Sequence, residues 1–253
     1  MKMVNYIVMA ALAIGFAGCV DIDETIDINP NGSGSLTMDM DLGQALAMMQ
    51  QYAGKEELAK RGMQDMDTTI WMQDVLEADT SLSPDKKAVL AAGSVHLKLK
   101  VDEKLFKVHM LFPFTNQDNL QKLYATIGDG SLAKTPLFNG FGGEGTKSGN
   151  LNFGQFNAVY DFSSHDGLIS KQVNDAKWKD LLNDPQVAQL RQIAGMDSGI
   201  RINYVTTIQL PRPVKKIANP VASLSGDKKT VVMKVNLIDV LDHPDQFGYR
   251  IDY

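Results

Sequence analysis

Three features of the sequence combine residue types that can do chemistry: a glycine-rich segment, an acidic turn and a set of histidines. Gly140–Gly145 satisfies the spacing G-x-G-x-x-G, in which glycines let the backbone approach a pyrophosphate. Dinucleotide binding requires that this turn follows a strand and opens a helix. Because Pro136 lies upstream and Thr146–Asn150 lacks helical patterning, we interpret the segment as a glycine-rich loop.

The acidic turn carries oxygen ligands at the spacing of a calcium-binding loop. The residues that match the first half of such a loop are Asp27, Asn29, Asn31 and Gly32. The last ligand position, which needs a bidentate glutamate, holds Met38, and strand patterns rather than helices flank the segment. We therefore interpret it as the turn of a hairpin.

The four histidines are His96, His109, His165 and His243. None is spaced from another as H-x-x-x-H, and the pair His96 and His109, which could meet across a hairpin, falls on its polar positions. The sequence also lacks a nucleophile elbow. We predict no catalytic residue, no cofactor and no metal ligand. A non-enzymatic protein is the favoured interpretation, and a hydrolase built from dispersed residues is the alternative.

The single cysteine, Cys19, follows a segment with the layout of a secretory signal peptide. Lys2 supplies the charge, Ile7–Phe16 the apolar core, and Ala17 and Gly18 the small residues before the cleavage site. The apolar run is shorter than the roughly 18 to 20 residues that span a bilayer. The ending Phe-Ala-Gly-Cys resembles the lipobox of bacterial lipoproteins, and this resemblance implies cleavage before Cys19 and its acylation.

Composition excludes several kinds of partner. The chain carries 25 lysines and arginines against 30 acidic residues, a net charge of −5, and its basic residues are scattered. This argues against nucleic-acid binding and against electrostatic attachment to an anionic lipid surface. A hydrophobic fraction of 44% indicates a globular protein rather than a disordered one.

Period-two and helical patterns alternate along the chain. Hairpins are predicted at Val20–Asp41, Val95–Phe112 and Val159–Val173, with later strands at Ile200–Leu210, Thr230–Asn236 and Phe247–Tyr253. Helices are predicted at Gly43–Tyr52, Glu56–Gln64 and Lys177–Leu182, and after Ser83-Pro84, Thr115 and Asp184-Pro185, whereas Thr69–Leu76 is ambiguous. Strand pairs separated by helices predict an α+β fold, with an antiparallel sheet of hairpins and helices packed on one face.

The N-terminal segment and the strand and helix patterns together predict a lipoprotein signal peptide over residues 1–18 and a single α+β domain over 19–253, with a flexible glycine-rich loop at 128–149.

Methionine is frequent, with 13 in the chain, and seven of them fall between Met38 and Met72. Such side chains suit apolar ligands such as acyl chains, but they also fill gaps in ordinary cores, and we favour core filling.

Five sequence segments resemble those of an uncharacterised family of Bacteroidota lipoproteins and, more distantly, those of LppM-type lipoprotein domains. They are DETIDINPNGSGSLTMDMDL from Asp23, MDTTI from Met66, YVTTIQLPRPV from Tyr204, SGDKKTVVMKVNL from Ser225 and FGYRIDY from Phe247. The LppM-type resemblance implies an α+β domain at the cell envelope that binds lipid or lipoglycan. It supplies no catalytic or binding residue for this chain.

We therefore expect a lipid-anchored cell-envelope protein, attached to the outer membrane through Cys19, with the leaflet left open. Its ligand is expected to be apolar or amphipathic, such as a lipid or lipoglycan, or a membrane partner. A protein-interaction or scaffold module is the alternative function. Nucleic acid is not an expected partner.

Overall fold

The fold combines two β-sheets with helices, and a computed structural model describes residues 19–60, 62–80, 82–129, 154–194 and 201–253. The strands are β1 (Cys19–Ile28), β2 (Gly34–Asp41), β3 (Met66–Trp71), β4 (Ser94–Lys100), β5 (Leu105–Phe114), β6 (Tyr160–His165), β7 (Leu168–Val173), β8 (Arg201–Gln209), β9 (Lys216–Ala218), β10 (Ser223–Leu224), β11 (Thr230–Asn236) and β12 (Tyr249–Asp252). The helices are α1 (Gly43–Ala53), α2 (Lys55–Lys60), α3 (Met72–Ala78), α4 (Pro84–Leu90), α5 (Gln117–Gly128), α6 (Gly154–Ala158), α7 (Asp175–Leu182), α8 (Pro185–Ala194) and α9 (Leu237–Val240), with a 3-10 turn at Pro244–Gln246. The predicted α+β class is confirmed.

The larger sheet has eight strands in the order β10-β11-β8-β1-β2-β5-β4-β3, and the smaller has the order β6-β7-β12-β9. Their pairs are antiparallel except for β1 and β8, which run parallel with Ile22 opposite Tyr204. The sequence does not predict this pairing or the second sheet, because period-two patterning identifies a strand without identifying its neighbour.

The larger sheet has one buried face and one open face. Alternation along β1 buries Ile22, Ile26 and Ile28, while Asp21 and Asp23 lie on the open face. On the buried side, α5 contacts both sheets: it packs against β5, and Tyr124 stacks on Phe162 of β6 with ring centroids 4.1 Å apart. The buried apolar residues of both sheets belong to one hydrophobic core.

One predicted helix start is displaced by a residue in the structure, and another is confirmed in position. Asn116, not Thr115, caps α5, because its side chain accepts a hydrogen bond from the Asn119 backbone N–H at 2.8 Å. Ser83 occupies the predicted N-cap position of α4, and Pro84 is at the first turn, but the serine side chain makes no capping bond.

The structure also defines the ambiguous segment Thr69–Leu76 and the start of the glycine-rich loop. The ambiguous Thr69–Leu76 divides at Trp71, where β3 ends and α3 begins. Gly128 is the buried last residue of α5, so the glycine-rich loop begins later than predicted. Residues 130–149 and residues 1–18, where a signal peptide is predicted, lie outside the described residues, as does the Gly140–Gly145 motif.

Core filling, the favoured interpretation of the methionine-rich stretch, is confirmed for several of its members. Met38, Met63 and Met72 are buried among other apolar side chains. Met48 and Met49, both on α1, remain about one-third exposed at 36% each. The stretch therefore supplies core volume first and only a small apolar surface.

Candidate functional site

Opposite charges lie inside the molecule at Glu24 and Lys171. Glu24 is 1% exposed and Lys171 is fully buried. Each occupies an inward-facing position of its strand, Glu24 on β1 between Ile22 and Ile26, and Lys171 on β7. Burying an ion requires compensation, so their surroundings determine what this cluster can do.

Glu24 is held by tyrosine hydroxyls. The Tyr204 hydroxyl donates a hydrogen bond to Glu24 Oε2, and the Tyr124 hydroxyl lies 3.4 Å from the same oxygen. The other carboxylate oxygen, Oε1, is buried and has no protein hydrogen-bond partner. Protein groups therefore supply hydrogen bonds to Oε2 of this carboxylate but not to Oε1.

Lys171 sits among aromatic rings. Its Nζ donates to Asn157 Oδ1 at 2.7 Å and lies 3.2 Å from the ring centroid of Phe247. Three further rings surround it at centroid distances from 5.2 to 5.8 Å, those of Tyr160, Tyr124 and Tyr204. Such contacts favour the ammonium. Burial nevertheless lowers the pKa of Lys171 to about 7, against the opposing effect of the Glu24 charge.

Asn157 and Tyr204 connect the two charges. Asn157 Nδ2 lies 3.4 Å from the Tyr204 hydroxyl oxygen, to which it donates, and Tyr204 in turn donates to Glu24. Burial first, and then the Glu24 charge, raise the pKa of Tyr204, Tyr124 and Tyr249 well above 10. The tyrosines therefore remain neutral donors near neutral pH, and the network stabilises an indirect ion pair between the sheets.

The space beside this network is small. A cavity of about 10 Å³ is lined by Glu24, Leu36, Met38, Tyr124, Ile127 and Asn157. This volume accommodates about one water molecule and is far below the roughly 300 Å³ at which small-molecule sites begin. This cavity therefore admits nothing larger than water, and the cluster links β1 of the larger sheet to β7 of the smaller one.

A larger depression of about 370 Å³ lies on the open face of the eight-stranded sheet. Its acidic residues are Asp21, Asp23, Asp39 and Asp41, and Lys107 and Asn203 border them. Most of these carboxylates have partners: Asn203 donates to Asp21 at 2.7 Å, His109 Nδ1 lies 2.7 Å from Asp39, and Lys107 lies 3.6 Å from Asp41. Partial burial, followed by the charges of Asp39 and Asp21, raises the pKa of Asp23.

The histidines lie at the surface, and two of them meet as the hairpin predicts. His96 and His109 are directly opposite each other on β4 and β5, with His96 Nδ1 3.0 Å from Thr69 Oγ1. His165 and His243 are exposed elsewhere. Among the described residues, no group of three histidine, cysteine, aspartate or glutamate side chains is arranged to hold a metal ion.

Cys19, the one predicted site residue, is the first residue of β1, and its backbone pairs with Arg201 of β8. Sequence reasoning missed Glu24, Lys171 and Asn157. A signal was present for the first two, because each places a charge on the apolar positions of a period-two strand. Asn157 lies in a helix of five residues, too short for a recognisable pattern.

No protein-family model matches the chain. Comparison with curated proteins and with solved structures found no match either. In the part of the chain that the structure describes, no helix is both long and apolar enough to cross a bilayer. The resemblance to envelope lipoproteins therefore stays a prediction.

Proposed function

We propose that this protein is anchored to a cell-envelope membrane by an acylated Cys19 and acts there as a non-catalytic binding module. The observation that carries the proposal is the position of Cys19 at the first residue of β1. An acyl group on this residue leaves no spacer between the bilayer and the folded chain. Two or more acyl chains supply stable anchoring, since each buried methylene contributes about 0.8 kcal/mol.

The binding surface that the geometry supports best is the open face of the eight-stranded sheet. The cavity beside Glu24 is water-sized at about 10 Å³, so it cannot take up an acyl chain. The open face, by contrast, offers a row of uncharged side chains across six strands, four with hydroxyl groups and two apolar, namely Trp71, Ser94, Leu111, Thr37, Thr25 and Thr207. This row favours contact with a partner at the membrane over a ligand enclosed in the core.

Site-specific photo-crosslinking in cells tests this proposal. A photoreactive residue at Thr37, in the centre of the open face, is expected to form adducts in the membrane fraction. The matched control is Gln172, an exposed position on β7 of the other sheet. The adduct mass separates a lipid or lipoglycan from a protein partner. Equal labelling at Thr37 and Gln172 would contradict the proposed surface.

The anchor is tested separately by Cys19→Ser. This variant is expected to move from the membrane fraction to the soluble fraction and to lose incorporation of labelled palmitate. Its unfolding transition should be unchanged, because the substitution lies at the first residue of β1. Membrane fractionation that is unaffected by Cys19→Ser would refute acyl anchoring.

A further inference from the structure

We infer that the interior of this protein contains a specific site for one water molecule, held by Glu24 Oε1 beneath the centre of the large sheet. The site is the cavity of about 10 Å³ between β1, β2, α5 and α6. A cavity of roughly 10 to 15 Å³ holds one water when two or more polar groups face it. Glu24, Tyr124 and Asn157 supply these groups.

Glu24 Oε1 is the first partner. It is a buried carboxylate oxygen without a protein donor, in a residue that is 1% exposed. Leaving such an oxygen unpaired costs more than leaving a neutral group unpaired, since a charged group loses stronger hydration. A water that donates to Oε1 removes this cost.

Tyr124 is the second partner. Its hydroxyl lies 3.4 Å from Glu24 Oε2 and 3.3 Å from Asn157 Oδ1. Both distances exceed the 2.5 to 2.7 Å that is usual for a hydroxyl bonded to a carboxylate, and the 2.5 to 3.0 Å usual for neutral acceptors. Because burial and the Glu24 charge raise its pKa, Tyr124 keeps its proton and can donate it to the water.

Asn157 completes the polar lining. Its Oδ1 already accepts from Lys171 at 2.7 Å, and its Nδ2 makes one long contact of 3.4 Å with Tyr204. An amide nitrogen carries two donors, so one remains for the water. The apolar side chains of Leu36, Met38 and Ile127 form the remaining walls, and they leave no space for a second molecule.

The bound water extends the network that links Lys171 to Glu24. It gives the carboxylate a partner on each oxygen, Tyr204 on Oε2 and the water on Oε1. The site therefore explains how a glutamate is tolerated on an otherwise apolar face of β1. This inference does not depend on acylation or on a partner at the open face.

Solution NMR and water-oxygen relaxation test the site in the wild-type protein. We expect cross-relaxation between water and the methyl groups of Leu36 and Ile127, with none at Leu99, a buried control outside the cavity. Because a tyrosine hydroxyl can relay such signals, oxygen-17 relaxation dispersion provides the second measurement, which sees only water. Absence of a long-lived water, or absence of the Leu36 and Ile127 signals, overturns the inference.

Two variants connect the water to Glu24. Glu24→Gln keeps an oxygen at the site and should retain the long-lived water. Glu24→Leu removes the acceptor, and the oxygen-17 dispersion amplitude should fall by the equivalent of one water. If Glu24→Leu does not fold, the wild-type and Glu24→Gln measurements decide alone. Retention of the water in a folded Glu24→Leu protein would contradict the assignment to Glu24.

Discussion

At the scale of single residues, the buried charges couple the two sheets. Lys171→Met leaves Glu24 as an uncompensated interior charge, and we expect it to lower the free energy of unfolding by about 3 to 5 kcal/mol at pH 6. The double variant Glu24→Gln/Lys171→Met should recover much of this loss, because it removes both charges. Denaturant unfolding of the wild type, both single variants and the double variant measures the coupling. If the double variant loses as much free energy of unfolding as the two single variants lose together, the two charges do not interact.

The same lysine predicts a pH dependence. Lys171 has a pKa of about 7 in the folded protein and an ordinary value of 10.5 when unfolded. Between these values the unfolded chain binds more protons, so this group makes the free energy of unfolding rise with pH, by at most about 1.4 kcal/mol per unit. Below pH 7 both states are protonated, and the contribution is flat.

The measurement is the difference in unfolding free energy between the wild type and Lys171→Met at pH 6, 7, 8 and 9. Subtraction removes the contributions of the other groups, including the buried tyrosines, whose raised pKa values lower stability above pH 10. A difference that stays constant from pH 7 to 9 would contradict a lowered pKa for Lys171.

The burial of individual residues could be predicted from the sequence only where the residue type follows the period of its strand or helix. Ile22 and Ile26 follow the period of a strand, and their burial is confirmed. Glu24 lies between them on the same face, and a lone sequence does not show which partner compensates its charge. Its partners Tyr204 and Tyr124 are 180 and 100 residues away, and such long-range contacts leave no local signal.

At the scale of elements, helix starts differ in what stabilises them. Asn116→Ala removes the side-chain acceptor of the Asn119 N–H, and it should lower the free energy of unfolding by about 1 kcal/mol. Ser83→Ala is the matched control, because Ser83 has the N-cap position of α4 without a side-chain bond. Denaturant unfolding of the two variants compares them. Equal losses would contradict the assigned cap.

The β1–β2 hairpin depends on a close backbone approach. A Cβ on Gly34 would lie 1.8 Å from the Asp27 carbonyl oxygen and 2.6 Å from Phe114 Cζ. Gly34→Ala should therefore lower the free energy of unfolding by about 3 kcal/mol or more, because neither a backbone nor a packed ring can yield freely. Gly226→Ala, in a turn with nothing within 4 Å, should change it little. Thermal or urea unfolding of both variants provides the test, and a stable Gly34→Ala protein would contradict this geometry.

Elements were more predictable than their arrangement. The hairpins and most helices follow from patterning within about ten residues. The parallel partnership of β1 with β8 spans most of the chain, and the second sheet gathers β9 and β12 with the β6–β7 hairpin. These associations depend on which apolar faces fit together, and patterning does not contain that information.

At the scale of the whole molecule, acylation at Cys19 predicts an orientation. The turn that contains Lys104 lies at the end of the sheet where β1 begins, since Asp21 pairs with Asp41 and Asp41 with Lys107. The turn that contains Lys228 lies at the opposite end, beside Gln209 and Thr230. Both lysines are exposed and have a positive φ of 54° and 57°. Trypsin should therefore cut near Lys228 faster than at Lys104 when the protein is bound to membranes.

The control is the Cys19→Ser protein in solution, where the membrane no longer shields either turn. The ratio of cleavage at the two sites, measured by peptide mass spectrometry, should then shift towards Lys104. An identical ratio in the bound and the soluble protein would contradict a bilayer lying close to the start of β1.

The mass of the mature N-terminus tests the proposed anchoring most directly. Intact and peptide mass spectrometry of the membrane fraction should find a chain that begins at Cys19 and carries a thioether-linked diacylglycerol on its sulfur. A chain that retains Met1, or an N-terminal region in which Cys19 is unmodified, would contradict the account.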